Sequence, residues 1–363
     1  MRKIRVLVVD DSVFIRRNLS RILETVSNLE VIGTATNGEE AIQQTKLLRP
    51  DVITMDVVMP VMDGLTALKI IMAEMPTPVV MLSSITQRGA QETLEALSLG
   101  AVDFITKPSG SISLDISTIR TEILGKVKTA YTSKVKIASQ VDVTQKKFRD
   151  IIESLSGNKI EPVSAATRKV DPRRGRSIIA IATSTGGPAA LQILLPALPL
   201  DLKAGIVIVQ HIAKGFTAPL ADRLDSLSQI KVRQAKAGDI ITPGVALISP
   251  SDVHITVVPS NGGYKVQLKT EPSDSLHRPS ADVLFNSLAK FCAGQTCAVI
   301  LTGMGNDGAA GMRAIYDGGG WTIAQDEASS VIYGMPKQAV EKGGVQVSLP
   351  LQQIAANIVK SAT

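Results

Sequence analysis

A chain of 363 residues has room for two domains of ordinary size, each with its own hydrophobic core. Its 44% hydrophobic and 20% charged residues are those of a soluble globular protein, and no apolar run is long enough to span a bilayer. The net charge of +6 would suit a nucleic-acid partner, but only 3% of residues are aromatic and many basic residues gather in one central stretch. The excess therefore reads as a solvated or docking surface. The opening Met1-Arg-Lys-Ile-Arg5 runs straight into a short strand and lacks the apolar core of a secretory signal, so the expected location is the cytoplasm. Two cysteines, Cys292 and Cys297, read as free buried thiols there.

Residues 1 to about 125 alternate strand and helix five times. Val6-Leu-Val-Val9, Val31-Ile32, Val52-Ile-Thr-Met55, Val79-Val-Met-Leu82 and Val102-Asp-Phe-Ile105 are apolar strands, with amphipathic helices such as residues 12–25 and 38–48 between them. That pattern predicts a doubly wound parallel sheet. Charged residues sit where its strands end: Asp10 and Asp11 after the first, Asp56 at the third, Lys107 after the fifth. The C-terminal ends of neighbouring strands lie together in such a sheet. Three carboxylates crowded there would repel one another unless a divalent cation bound, and Mg²⁺ prefers such oxygen ligands. Lys107 then suits an incoming phosphoryl group, and Asp56 would accept it as an acyl phosphate. A strand-end aspartate taken alone reads equally well as a solvated loop residue.

The region resembles the receiver domain of two-component response regulators through Asp10-Asp11, Asp56, Met59-Pro-Val-Met-Asp-Gly64 and Lys107-Pro108. The resemblance implies a flavodoxin-like fold and phosphotransfer from a histidine kinase. It also gives Ser83, Phe104 and Lys107 the places of the residues that sense the phosphoryl group and switch.

Alternation fades between about 126 and 172, where lysines and arginines recur and residues 163–172 look like a polar tether. A solvated linker is expected, most firmly over 156–172, with the earlier part continuing a helix.

Residues 173–363 predict a second α/β sheet, with strands at 178–182, 205–210, 297–302 and 321–324 and a shorter one at 245–248. Residues 255–258 and 264–268 flank Ser260-Asn-Gly-Gly263, which predicts an antiparallel hairpin extension. The run Ser177-Ile-Ile-Ala-Ile-Ala-Thr-Ser-Thr-Gly-Gly-Pro188 reads as buried strand, glycine turn and helix start, placing Ser184 at the C-terminal sheet edge. A hydroxyl there suits a nucleophile beside an oxyanion site, although the same residues also make an N-capped turn. His211 directly follows the next strand and is the best-placed general base of the three histidines. Asp307, in Leu301-Thr-Gly-Met-Gly-Asn-Asp-Gly308, would orient it and complete a Ser-His-Asp relay. The order Ser184, His211, Asp307 differs from that of α/β-hydrolases, and Ser184 lacks their Gly-x-Ser-x-Gly elbow.

One rival arises from the same residues. Gly303-Met-Gly-Asn-Asp-Gly308 matches the dinucleotide fingerprint, and Asp326 and Glu327 stand about 20 residues on, where a ribose-binding acid belongs. This leaves Ser184-Thr-Gly-Gly187 and Gln210-His211 unexplained, and Asp307 would repel a pyrophosphate.

Taken together, Ser184-Thr-Gly-Gly187, Gln210-His211 with Gly215-Phe-Thr217, His277-Arg-Pro-Ser280 and Thr302-Gly-Met-Gly-Asn-Asp-Gly308 resemble the bacterial chemotaxis protein-glutamate methylesterases. The order of receiver (1–125), linker (126–172) and catalytic domain (173–363) is also that family's. The resemblance implies two doubly wound α/β domains, the second Rossmann-like, with Ser184 as nucleophile, His211 as base and Asp307 as orienting acid. It places the oxyanion contacts at Met304 and the Thr185 region. Thr183 departs from the small alanine often found before the family's serine. The activities implied are hydrolysis of glutamate methyl esters on chemoreceptors, releasing methanol, and deamidation of receptor glutamines. Mg²⁺ is implied for the receiver and no cofactor for the catalytic domain. The implied partners are chemoreceptor cytoplasmic domains and a chemotaxis histidine kinase, with neither nucleic acid nor membrane insertion. Control is expected to come from the unphosphorylated receiver covering the active-site edge, with Asp56 phosphorylation acting through Ser83 and Phe104 to open it.

Overall fold

The computed structural model describes residues 2–84, 86–107, 116–133, 177–273 and 275–362. Pro108 and most of the expected linker lie outside them. The chain divides into two compact units, Met1–Asp142 and Val143–Thr363, each described here by itself.

The first unit is a five-stranded, wholly parallel sheet in the order β2-β1-β3-β4-β5, formed by β1 (Ile4–Val9), β2 (Leu29–Ala35), β3 (Val52–Asp56), β4 (Val79–Ser83) and β5 (Asp103–Thr106). Every residue of β3 and β4 is buried, as their unbroken apolar runs require of strands covered on both faces. The helices are α1 (Val13–Leu23), α2 (Gly38–Leu48), α3 (Gly64–Glu74), α4 (Gln87–Ser98) and α5 (Ile116–Thr132), the last running past residue 125. Side-chain oxygens of Ser12, Asn37, Asp63 and Thr86 cap the first four, satisfying N–H groups that the helices leave unpaired. Gly64 opens α3 against the strand end that carries Asp56. A Cβ at Gly64 would lie 2.0 Å from the Asp56 carbonyl oxygen, so only glycine lets the helix start there.

The second unit is a seven-stranded parallel sheet in the order β14-β13-β12-β6-β7-β9-β8. Its strands are β6 (Ile178–Thr183), β7 (Gly205–Gln210), β8 (Lys231–Gln234), β9 (Val245–Ile248), β12 (Thr296–Ile300), β13 (Trp321–Gln325) and β14 (Val347–Leu349). Strands β8 and β14 are not legible in the apolar pattern, being short and mixed in polarity. The predicted hairpin forms, as β10 (His254–Ser260) and β11 (Gly263–Lys269), but as a separate two-stranded sheet. The helices are α6 (Gly187–Leu194), α7 (Thr217–Leu227), α8 (Ala281–Cys292), α9 (Ala309–Asp317), α10 (Met335–Glu341) and α11 (Leu351–Ala362). The hairpin residues Ile255, Val257 and Val266 share one core with Leu284, Phe285 and Leu288 of α8 and with Ile178, Ala180 and Ala298 of the main sheet. This apolar sandwich fixes α8 relative to the sheet. Cys292 and Cys297 are free and buried, and burial pushes the Cys292 thiol up to about 11. Among the described residues no helix is long and apolar enough to cross a membrane.

The order of strands decides where a site can form. Strand β6 pairs with β7 on one side and β12 on the other, so the chain reverses its direction of winding between β6 and β12. Ligands of open α/β sheets bind at such a reversal, beyond the carboxyl ends of the strands.

Gly64→Ala should destabilise the first unit by about 1–3 kcal/mol, the usual cost of forcing atoms into a filled space. Hydrogen exchange of the β3 and β4 amides in the full chain should accelerate accordingly; unchanged protection would show that α3 shifts at no cost.

Candidate active site

Ser184 stands immediately after β6 and is half-buried. Its N–H donates to the Thr302 carbonyl (3.1 Å), and its own carbonyl accepts from Gly187 N (2.8 Å) and Gln210 Nε2 (3.0 Å). Gln210, the last residue of β7, also donates through Nε2 to the His211 carbonyl (2.9 Å). One side-chain amide therefore ties together the backbone that follows β6 and the backbone that follows β7. Thr183, the departure noted above, donates through its hydroxyl to the Thr302 carbonyl (2.8 Å) and so fastens β6 to the loop after β12.

His211 follows β7 directly, and its N–H donates to the Thr183 carbonyl (3.0 Å). Its Nε2 lies 2.8 Å from Asp307 Oδ2, while Nδ1 is buried and has no hydrogen-bond partner among the described residues. A neutral imidazole that donates from Nε2 keeps its lone pair on Nδ1, the form able to accept a proton.

Asp307 is only 8% exposed. Its Oδ1 accepts from Ser280 Oγ (2.8 Å) and Asp282 N (3.0 Å), and its Oδ2 accepts from Ala281 N (2.7 Å) as well as from His211. Ala281 and Asp282 open α8, so the carboxylate sits on N–H groups that a helix start leaves unpaired and on the positive end of its dipole. Burial alone would push the pKa of Asp307 up, but the His211 hydrogen bond and charge and the two amide donors outweigh it. The carboxyl is held well below the usual carboxylate range. Asp282, facing the same region, is pushed up by burial and by the Asp307 charge, against hydrogen bonds from Gly311 and Gly308.

The sequence-predicted residues thus gather at one sheet edge: His211 and Asp307 as a hydrogen-bonded pair, and Ser184 on the strand next to His211, in register through Thr183 and Gln210. Thr185 and Met304 lie on the two loops beside Ser184, with Thr185 buried and Met304 52% exposed. Sequence reasoning assigned no role to Gln210, His277 or Ser280. His277 stacks on the His211 ring, with centroids 4.3 Å apart and planes 17° from parallel. Partial burial and the neighbouring His211 hold His277 below the usual histidine value, against the pull of Asp307. Ser280 was findable, since a serine after a proline and before an apolar helical pattern is a helix-start signal. Of the two acids offered to the dinucleotide alternative, Asp326 accepts through Oδ1 from the N–H (2.8 Å) and hydroxyl (2.6 Å) of Ser329 in its own turn.

In the first unit, carboxylate oxygens of Asp10, Asp11 and Asp56 lie within 4.8 Å of one another. Lys107 Nζ is 2.7 Å from Asp10 Oδ2 and 2.7 Å from Asp56 Oδ2. Burial pushes Asp56 up to about 6, with Lys107 pulling it down and Asp10 pushing it further up. Lys107 is raised despite its burial, because both carboxylates accept hydrogen bonds from it. Three hard oxygen donors so close, two of them sharing one lysine, fit a small divalent cation. Ser83, at the end of β4, accepts from Thr93 Oγ1 (2.6 Å) and lies 3.2 Å from the Gly89 carbonyl. Phe104 is buried at 3% exposure, and Lys126 of α5 lies over its ring and donates to its carbonyl.

Known proteins resemble the chain along its whole length. Residues 6–117 match the family model described as response regulator receiver domain, and residues 179–358 match that described as CheB methylesterase. A protein of Geobacillus kaustophilus, named protein-glutamate methylesterase/protein-glutamine glutaminase, is 44% identical over 99% of both chains. A protein of the same name from Bacillus licheniformis is 45% identical over 98% of both. The crystal structure of the Thermotoga maritima CheB methylesterase catalytic domain, at 38% identity, covers 51% of this chain and 97% of its own, with a TM-score of 0.50.

The Asp307 environment has a measurable consequence. A carboxyl whose folded value is depressed adds stability that is complete above its unfolded value near 4 and is lost as pH falls towards the folded value. The excess melting temperature of the wild type over Asp307→Asn should therefore shrink as pH is lowered below about 4. A difference that stays constant from neutral to strongly acid pH would refute this account of the carboxylate.

Proposed function

We infer the reaction from one premise: the chain belongs to the CheB methylesterase family, with a receiver domain before the esterase, and is a carboxylic-ester hydrolase of the protein-glutamate methylesterase/protein-glutamine glutaminase type. Its substrate is the methyl ester of a glutamate side chain on a chemoreceptor. Ser184 Oγ attacks the ester carbonyl while His211 Nδ1 takes the hydroxyl proton. The His211–Asp307 pair at 2.8 Å carries this reading, because it leaves Nδ1 as the nitrogen for that proton and places a charge against the imidazolium that forms. Main-chain N–H groups at Thr185 and Met304 stabilise the oxyanion. The tetrahedral adduct collapses, the proton passes from His211 to the methoxy oxygen, and methanol leaves. Water attacks the acyl-enzyme with the same base, restoring Ser184 and giving glutamate. A receptor glutamine follows the same path with ammonia as the leaving group.

In the receiver, Asp10, Asp11 and Asp56 would hold Mg²⁺, which when bound neutralises phosphoryl oxygens. Asp56 accepts the phosphoryl group from a histidine kinase of the chemotaxis pathway, and Lys107 pairs with it. The resulting charge draws on Ser83 and Phe104 and raises the esterase rate of the second domain. Domain boundaries of 1–125, 126–172 and 173–363 complete the proposal, with action in the cytoplasm.

Methanol release from chemoreceptor membranes carrying methylated glutamates tests the chemistry. Ser184→Ala should lower the rate by roughly 10⁶-fold, the scale on which a triad nucleophile is lost. Undiminished release would remove Ser184 from the mechanism. A small phosphodonor with Mg²⁺ should raise the wild-type rate and leave Asp56→Asn unmoved; equal stimulation of both would end the case for control through Asp56.

A further inference from the structure

The segment His277-Arg278-Pro279-Ser280 touches both members of the His211–Asp307 pair, yet the reaction as derived uses none of it. At one end the His277 ring lies nearly flat on His211, 4.3 Å between centroids and 17° between planes. At the other, Ser280 Oγ donates to Asp307 Oδ1 at 2.8 Å. The segment is itself anchored. Ser280 N donates to Nδ1 of the fully buried His254 (3.2 Å), whose Nε2 lies 3.1 Å from the Pro272 carbonyl. The Arg278 carbonyl accepts from Asp252 N (3.2 Å), and the His277 carbonyl accepts from Ser275 Oγ (3.0 Å).

Geometry explains why the pair needs more than its own hydrogen bond. The bond from Nε2 to Asp307 fixes one point of the imidazole, but the ring can still turn about the Nε2···Oδ2 line and carry Nδ1 with it. A near-parallel ring lying on the face removes that freedom. The carboxylate, likewise, is fixed in rotation when both oxygens are held, and Ser280 Oγ makes the shorter of the two hydrogen bonds to Oδ1, beside the Asp282 N–H. Reacting groups must be kept within about 0.5 Å and 10–20° of productive geometry, so either freedom is costly to rate.

We propose that His277 and Ser280 are positioning residues of the esterase, a clamp from one segment that sets the plane of the base and the rotation of its acid. Neither touches the reacting atoms. The proposal rests on the Ser184-His211-Asp307 reading and concerns the setting of that machinery.

The test uses the full chain, methanol release from methylated chemoreceptor membranes, and side-chain NMR of its three histidines, His211, His254 and His277. His277→Ala should lower kcat roughly tenfold with KM within about twofold, and His277→Phe, which keeps a flat ring but cannot titrate, should recover most of the loss. Ser280→Ala should behave like His277→Ala, with Ser280→Thr restoring the rate. The ring-proton resonances of His211 should move in His277→Ala and remain displaced by a neighbouring ring in His277→Phe. The clamp is overturned if His277→Ala keeps the wild-type kcat, if phenylalanine is no better than alanine, or if the loss appears in KM, which would make His277 a substrate contact. Ser280 also caps α8, so its alanine variant can fail to fold; His277 is exposed, and its variants keep the proposal falsifiable. If the wild type released no methanol, the esterase reading would fall, and the His211 resonances alone would still decide whether the ring is clamped.

Discussion

The Asp307 carboxylate on the N-terminus of α8 is the contact on which the esterase site depends. A buried carboxylate costs several kcal/mol unless it is met by donors. Here four donors meet it: two backbone N–H groups, one hydroxyl and the His211 ring. Three of the four are rigid parts of one helix start, so the acid is held in place before any substrate arrives. Such preorganisation lets the imidazolium be stabilised without reorganising the site. The helix must reach the sheet edge for this to happen, and its approach is set by packing. A Cβ at Gly311 would lie 2.4 Å from Phe285 Cβ, so the closeness of α8 and α9 depends on that glycine having no side chain. The hairpin β10–β11 presses on α8 from elsewhere in the same core.

The two units treat buried carboxylates in opposite ways. Asp307 has fixed donors on both oxygens and stays charged far into acid. Asp56 is pushed up to about 6 by burial, with the Asp10 charge adding to the rise and the lysine it shares with Asp10 offsetting only part of it. One environment finishes the electrostatics within the protein. The other leaves them to be completed from outside, as a cation among those oxygens would do. The same residue type, beside the same kind of strand end, is thus a fully hydrogen-bonded fixed charge in one unit and an incompletely compensated one in the other.

A further contrast lies in how the strand ends are joined. In the esterase unit Thr183 and Gln210 use side-chain hydrogen bonds to tie β6, β7 and the loop after β12 into one frame. These bonds reach backbone carbonyls of Ser184, His211 and Thr302, so the positions of Ser184 and His211 follow from the frame and not from long side chains. In the receiver the ties at the strand ends are a hydroxyl pair, Ser83 with Thr93, and a lysine over Phe104.

By itself the sequence determined two α/β units, because unbroken apolar runs between amphipathic helices can be buried only as parallel strands covered on both faces. It also determined which polar residues end those strands: Asp10, Asp56 and Lys107 in one unit, Ser184 and His211 in the other. Parallel strands then bring such residues to one edge, so much of each site was legible. Strands β8 and β14 were not, since strands so short and mixed in polarity rest on their neighbours for definition. Only the tertiary structure decided that α8 would start beneath Asp307, that Ser280 would bind its second oxygen, and that His277 would lie on His211. Ser280 stands 27 residues from Asp307 in the chain, and His277 stands farther still from His211. Periodicity reports which face of an element is buried; what that face meets is settled by how whole elements pack.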